Sequence, residues 1–214
     1  MTTSAPTAGA KPNSVVTWFR ANVALIVLVA ALVALPFVIG LANGDTIADV
    51  LANESGNSKF IQGLLIEVFI LAVFAISYDL VLGITGLLSF GHAMFFAVGA
   101  YLTGVLLKSF GWTLLPTIVA VIVAGVVQAL LFAIVLPRVK GITFALVTLG
   151  LASVFWIVIQ SSDLQQWAGA EIGLQGVPAP VWFLDTTNER FIFYLVTLAV
   201  VALVYVAYTR IVDS

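Results

Sequence analysis

Long apolar stretches separated by short polar ones run the length of the chain. Their period is neither the alternation of a half-buried strand nor the single stripe of a soluble amphipathic helix. Six stretches read as membrane spans: residues 21–41, 60–82, 92–107, 114–136, 143–159 and 191–208. A helix of about 20 apolar residues crosses the hydrocarbon core of a bilayer, and the third and fifth stretches fall short of that. Two polar connections are long, 42–59 and 160–190. The pattern predicts an all-α, polytopic transmembrane bundle of about six spans, one membrane domain over residues 21–214. Residues 1–20, rich in Ala, Thr, Ser and Pro, predict a disordered cytoplasmic tail.

Composition narrows the function. Of 214 residues, 62% are hydrophobic and 8% charged, against roughly 25% charged in a soluble domain, so a water-soluble core is excluded. The net charge is -2 and the eight Lys and Arg are scattered, which leaves no basic stripe for nucleic acid. The absence of cysteine and the single histidine, His92, remove disulfides, thiolate chemistry and multi-His metal sites. Neither a GxxxxGK nor a GxGxxG phosphate loop is present. The chain therefore reads as a transport subunit, with no catalytic residues, metal or cofactor of its own. With the amino terminus inside, Lys11, Arg20, Arg138, Lys140 and Arg210 are cytoplasmic, against Lys59, Lys108 and Arg190 outside. Both long acidic loops are then external.

Candidate chemistry concentrates between the second and third spans. Gly83, Gly86 and Gly91 interrupt a nearly uncharged stretch, predicting a Gly-rich break before the third helix, at membrane depth. Non-helical backbone there must be buried in protein or line a wet cavity, so the break is either part of a solute path or a tight cytoplasmic turn. Ser89 is placed to cap the helix starting near His92, whose N-terminal dipole could meet a carboxylate. His92 itself is a packed side chain or a proton carrier. Ala93, Ala97, Ala100 and Gly104 share one helical face, a seam of small residues that predicts a central, helix-surrounded third span. Glu67 and Asp79 in the second span and Gln128 in the fourth are intramembrane polar groups that line a path or bond between helices. Asp79 is near enough to the inner surface to pair with Arg138 or Lys140. The 160–190 loop, with Trp167 and Trp182 among Gly and Pro, docks a partner, gates an entrance or packs as a lid on its own helices.

The run from Gly83 to Tyr101, Gly-Ile-Thr-Gly-Leu-Leu-Ser-Phe-Gly-His-Ala-Met-Phe-Phe-Ala-Val-Gly-Ala-Tyr, resembles the signature of the permease subunits of branched-chain amino acid ABC importers, whose relatives include urea and amide permeases. Gly141-Ile-Thr-Phe-Ala-Leu-Val-Thr-Leu-Gly150 and Gly173-Leu-Gln-Gly-Val-Pro178 fit the same family. The resemblance implies a multi-pass subunit of the bacterial inner membrane that pairs with a second permease, two cytoplasmic ATPases and an external solute-binding protein. It places Gly83 to His92 near the translocation path. The family commonly has Asn where Asp79 stands and Thr-Gly-Gly where this chain has Ala168-Gly169-Ala170. Its members also continue past the sixth helix into an ATPase-coupling segment, so the resemblance implies a permease domain incomplete at its carboxy end.

Overall fold

A computed structural model of the chain describes residues 23–52, 56–135, 139 and 141–212. The predicted tail and the expected partners of Asp79, Arg138 and Lys140, lie outside them. Among the described residues six helices are long and apolar enough to cross a membrane: α1 (Val23–Ala42), α2 (Asn57–Asp79), α3 (His92–Ser109), α4 (Leu114–Val135), α5 (Ile142–Ile159) and α6 (Arg190–Val212). A π-helical turn, Leu80–Ile84, prolongs α2. Much of the outer surface is apolar, with Leu115 75% and Leu203 70% exposed. That surface suits lipid, because every backbone bond of a helix is satisfied within it.

The helices sort into two groups. α2 packs along α6 and against α1, and α3 packs on α4 and α5. In the first group α2 turns Ser58, Gln62, Ile66 and Phe69, at spacings of four, four and three, inward. Ile66, Phe69, Tyr194 and Leu198 form its core. A proline sets the polar bonding here. Pro36, inside α1, has no N–H to donate to the carbonyl of Leu32 four residues earlier. The hydroxyl of Tyr194, a fully buried residue, donates to that carbonyl at 2.7 Å. Ser58 Oγ donates to the carbonyl of Pro36 itself at 3.0 Å. Two neighbouring helices thus complete the bonding around the break, as lipid cannot.

The second group meets α2 chiefly toward its C-terminal end. Helix spacing of seven puts Phe60, Glu67, Phe74 and Val81 of α2 on one face. There Phe74 packs on His92 and Phe96 of α3, with ring centroids 5.3 and 5.7 Å apart. Toward the N-terminal end the same face is uncovered, and Phe60 is 66% exposed.

The two long connections are ordered on the helices. The first carries a short helix, Ile47–Leu51, begun by a capping box in which Thr46 and Asp49 bond each other's backbone N–H groups. In the second, Trp167 stacks on Phe110 at 5.4 Å, the Lys108 ammonium donates to the carbonyl of Gln175 at 2.6 Å, and Leu174 sits against Gly104. This loop is a lid over the C-terminal end of α3.

Two sequence expectations change. The face of small residues on α3 is not a helix–helix seam within this chain: Ala93 and Ala100 are exposed, Ala97 is half-buried, and buried Gly104 meets the lid. Accordingly α3 lies between α4, α5 and the lid instead of at the centre of all six helices.

Candidate functional site

The Gly-rich break is shorter than the glycine spacing suggests. Gly83 stays helical, where its lack of a side chain leaves room for the Asp79 carboxylate; an added Cβ would lie 3.0 Å from Oδ1. The helix ends at Gly86, whose φ of +67 is the left-handed conformation that closes helices and that a side chain strains. Non-helical backbone then runs to Gly91. Gly91 is buried because the break presses there on α5: a Cβ would fall 2.6 Å from the carbonyl oxygen of Thr148. The adjoining Phe90 N–H donates to Thr148 Oγ1 at 3.1 Å. Gly86 is thus required for its backbone angle and Gly91 for its closeness to a neighbouring backbone.

Ser89 does not cap α3. A turn at Phe90 and Gly91 intervenes, Gly91 occupies the N-cap position, and no side chain bonds the first-turn N–H groups. Ser89 instead lines a cavity of about 850 Å³ where the C-terminal ends of α2 and α4 meet the N-terminal ends of α3 and α5. Its walls are mainly apolar, including Phe74, Phe95, Phe132 and Phe144; Ser77, Ser89 and His92 supply the side-chain polar groups.

His92 is held on several sides. Phe74, Tyr78 and Phe95 surround the ring with centroids 5.3, 5.4 and 6.4 Å away. Its Nε2 lies 2.9 Å from Ser77 Oγ, and that hydroxyl also bonds the carbonyl of Phe74 at 2.7 Å. A hydroxyl has one proton. With that proton on the Phe74 carbonyl, Nε2–H must be the donor to Ser77 Oγ, which leaves Nδ1 as the acceptor nitrogen of the neutral ring. The arrangement fixes the ring at the cavity wall, beside the hydroxyls of Ser77 and Ser89.

The other predicted polar residues are elsewhere. Asp79, on the far side of α2 from the cavity, accepts a hydrogen bond from the Tyr208 hydroxyl and so clasps α2 to α6 at their C-terminal ends. Glu67 is exposed in a separate groove along the N-terminal half of α2, shared with Arg190. Gln128 is buried in α4 with both amide atoms unbonded among the described residues. Ser77 and Phe74 complete the site but carry no motif, whereas Thr148 lies in the Gly141–Gly150 run. The repeat of seven through Phe60, Glu67, Phe74 and Val81 was the available signal for the lining face of α2.

Six apolar helices, a helix-breaking proline satisfied by its neighbours and a cavity at a glycine break define a multi-pass membrane protein with a chamber between its helices. The chain belongs to the permease family of branched-chain amino acid transport: residues 60–214 match the family described as "Branched-chain amino acid transport system / permease component". Over 117 residues, 52% of this chain, it is 30% identical to the high-affinity branched-chain amino acid transport system permease protein LivM of Salmonella typhimurium (strain LT2) and 29% identical to LivM of Escherichia coli (strain K12). The aligned part is 26% of each relative, so the chain spans about a quarter of their length. No solved structure gives a significant match.

Proposed function

We propose that this chain is a membrane-spanning permease subunit of an ATP-driven importer in the bacterial inner membrane, carrying branched-chain amino acids. The observation that carries the reading is the cavity at the signature break, whose mainly apolar walls with a few polar groups suit a solute with an aliphatic side chain. Family membership and the two LivM relatives support the solute class. Urea or a small amide, the alternative solute, would leave so apolar a chamber mostly unmatched.

The amino terminus is cytoplasmic in this proposal, with Lys59, Lys108 and Arg190 at the outer ends of the helices and Arg210 at the inner end of α6. The break and the cavity then face the cytoplasm, where a second permease and two ATPases would complete the assembly, and an external binding protein would meet the lid. ATP is hydrolysed on those partner subunits and not on this chain. A secondary carrier relaying protons through Glu67 and His92 is disfavoured by their separation into two cavities. The test is uptake of labelled leucine and labelled urea by cells with and without this gene, with and without ATP depletion. ATP-dependent leucine uptake lost on deletion supports the importer. Leucine uptake that is unchanged on deletion, or that collapses with an uncoupler at constant ATP, contradicts it.

A further inference from the structure

Glu67 stands ten residues inside the start of α2, about 15 Å from the outer end at 1.5 Å per residue, which is half of a ~30 Å hydrocarbon core. An ionisable group at that depth is expensive unless a partner or water meets it. Yet it is exposed, on the part of the α2 face that α3 leaves uncovered. That face and the start of α6 wall a groove of about 410 Å³, lined by Phe60, Leu64, Ile66, Glu67, Thr186 and Arg190.

Arg190 is fixed at the rim. Its Nε–H donates to the Thr186 carbonyl at 3.0 Å and its Nη1 to the Lys59 carbonyl at 3.3 Å. Gly63 makes the space, since a Cβ there would lie 3.4 Å from Nη1. Both acceptors are neutral carbonyls, so the guanidinium keeps its charge, and among the described residues no carboxylate lies within 4.0 Å of it. The groove therefore presents a carboxylate and a guanidinium that line the same space without bridging each other.

We propose that this groove is an entry site for a zwitterionic aliphatic amino acid. The solute's α-carboxylate lies on the Arg190 fork, its α-ammonium on Glu67, and its side chain against Phe60, Leu64 and Ile66. A ligand with both charges on one carbon satisfies the two groups together and brings no net charge into the membrane. A neutral amide would leave both uncompensated, and a simple cation would leave Arg190. The assignment rests on the importer reading and names where that solute is first held.

The test is leucine uptake by the whole importer carrying Glu67→Gln or Arg190→Gln, scaled to the amount of protein in the membrane. Inhibition by 4-methyl-2-oxopentanoate, which lacks the ammonium, and by isopentylamine, which lacks the carboxylate, is measured alongside. Each variant should lose tenfold or more of its uptake. The wild-type preference for leucine over the oxo acid should shrink in Glu67→Gln, and that over the amine in Arg190→Gln. Wild-type uptake per molecule in either variant, or unchanged preferences, overturns the entry site while leaving the importer reading intact. Where a Gln variant does not accumulate, Glu67→Asp and Arg190→Lys decide: reduced uptake per molecule upholds the site and full uptake overturns it. A wild-type assembly that takes up no leucine overturns the importer reading, and the entry site with it.

Discussion

The bond between Tyr194 and Leu32 exists because Pro36 leaves a carbonyl free, and this dependence can be measured. Tyr194→Phe keeps the ring in its packed position, with Phe69 5.3 Å away, and removes only the hydroxyl that donates at 2.7 Å. An interhelical hydrogen bond in a membrane protein contributes about 0.6 kcal/mol on average, rising to roughly 1.7, and a buried carbonyl left unsatisfied adds about 1–3 kcal/mol. The substitution should therefore cost about 1.6–3.6 kcal/mol. Pro36→Ala restores an N–H that can donate to Leu32 within α1, so on that background Tyr194→Phe should cost only about 0.6 kcal/mol. The double-mutant cycle then gives a coupling of about 1–3 kcal/mol. Reversible unfolding of the purified protein in mixed detergent micelles, followed by tryptophan fluorescence, supplies the four stabilities. Equal costs of Tyr194→Phe on the two backgrounds would refute the link between the proline and the hydroxyl.

Three other positions make separate demands. Gly91→Ala drives a methyl group into the Thr148 carbonyl and should cost about 1–3 kcal/mol in the same unfolding assay, with uptake falling too, whereas wild-type stability would mean that the break does not press on α5. Ala170 holds φ +50 in the lid, a left-handed angle costing an alanine about 1–2 kcal/mol; Ala170→Gly should give a net gain of about 0.5–1 kcal/mol after the added unfolded-state freedom, and a loss would contradict it. The Asn188 amide and the N–H groups of Thr187 and Asn188 hold the Asp185 carboxyl below the usual carboxylate range. Its folded-state value is the lower one, so its contribution to stability is present above about pH 4 and fades as pH falls through the depressed value. Melting temperature measured from about pH 6 to pH 3 should fall less steeply in Asp185→Asn than in the wild type; identical slopes would show that the turn does not depend on the charge.

The spans were legible because hydrophobic length alone identifies them, and each described helix falls within a few residues of its predicted stretch. The ends were less so. α2 runs on through a π-helical turn past Leu82 because one glycine, Gly83, is tolerated inside a helix, and α6 continues to Val212. Ser89 was misread because a capping serine and a cavity-lining serine have the same spacing to His92 when the intervening turn is unknown. The seam from Ala93 to Gly104 was correctly placed on one face, but spacing does not name the neighbour, which proved to be the lid at Gly104. The bonds that hold the site and the bundle join Ser77 to His92 across 15 residues and Leu32 to Tyr194 across 162. Such pairs depend on how each helix is rotated toward the next, and hydropathy around the whole circumference of an intramembrane helix carries little of that information.

The claim that the inner cavity belongs to the solute path can be tested directly, because the chain has no cysteine and a single introduced thiol reports on one position. Ser89→Cys and Ala129→Cys place a thiol at the cavity, and Leu130→Cys places one on the exposed, lipid-facing side of α4. A water-soluble maleimide added to inside-out vesicles of the assembled importer should label the two cavity positions, and leucine should slow that labelling while leaving Leu130→Cys unlabelled throughout. Cavity thiols that stay as inert as the one at position 130, or that react at the same rate with and without leucine, would contradict a solute path through the break.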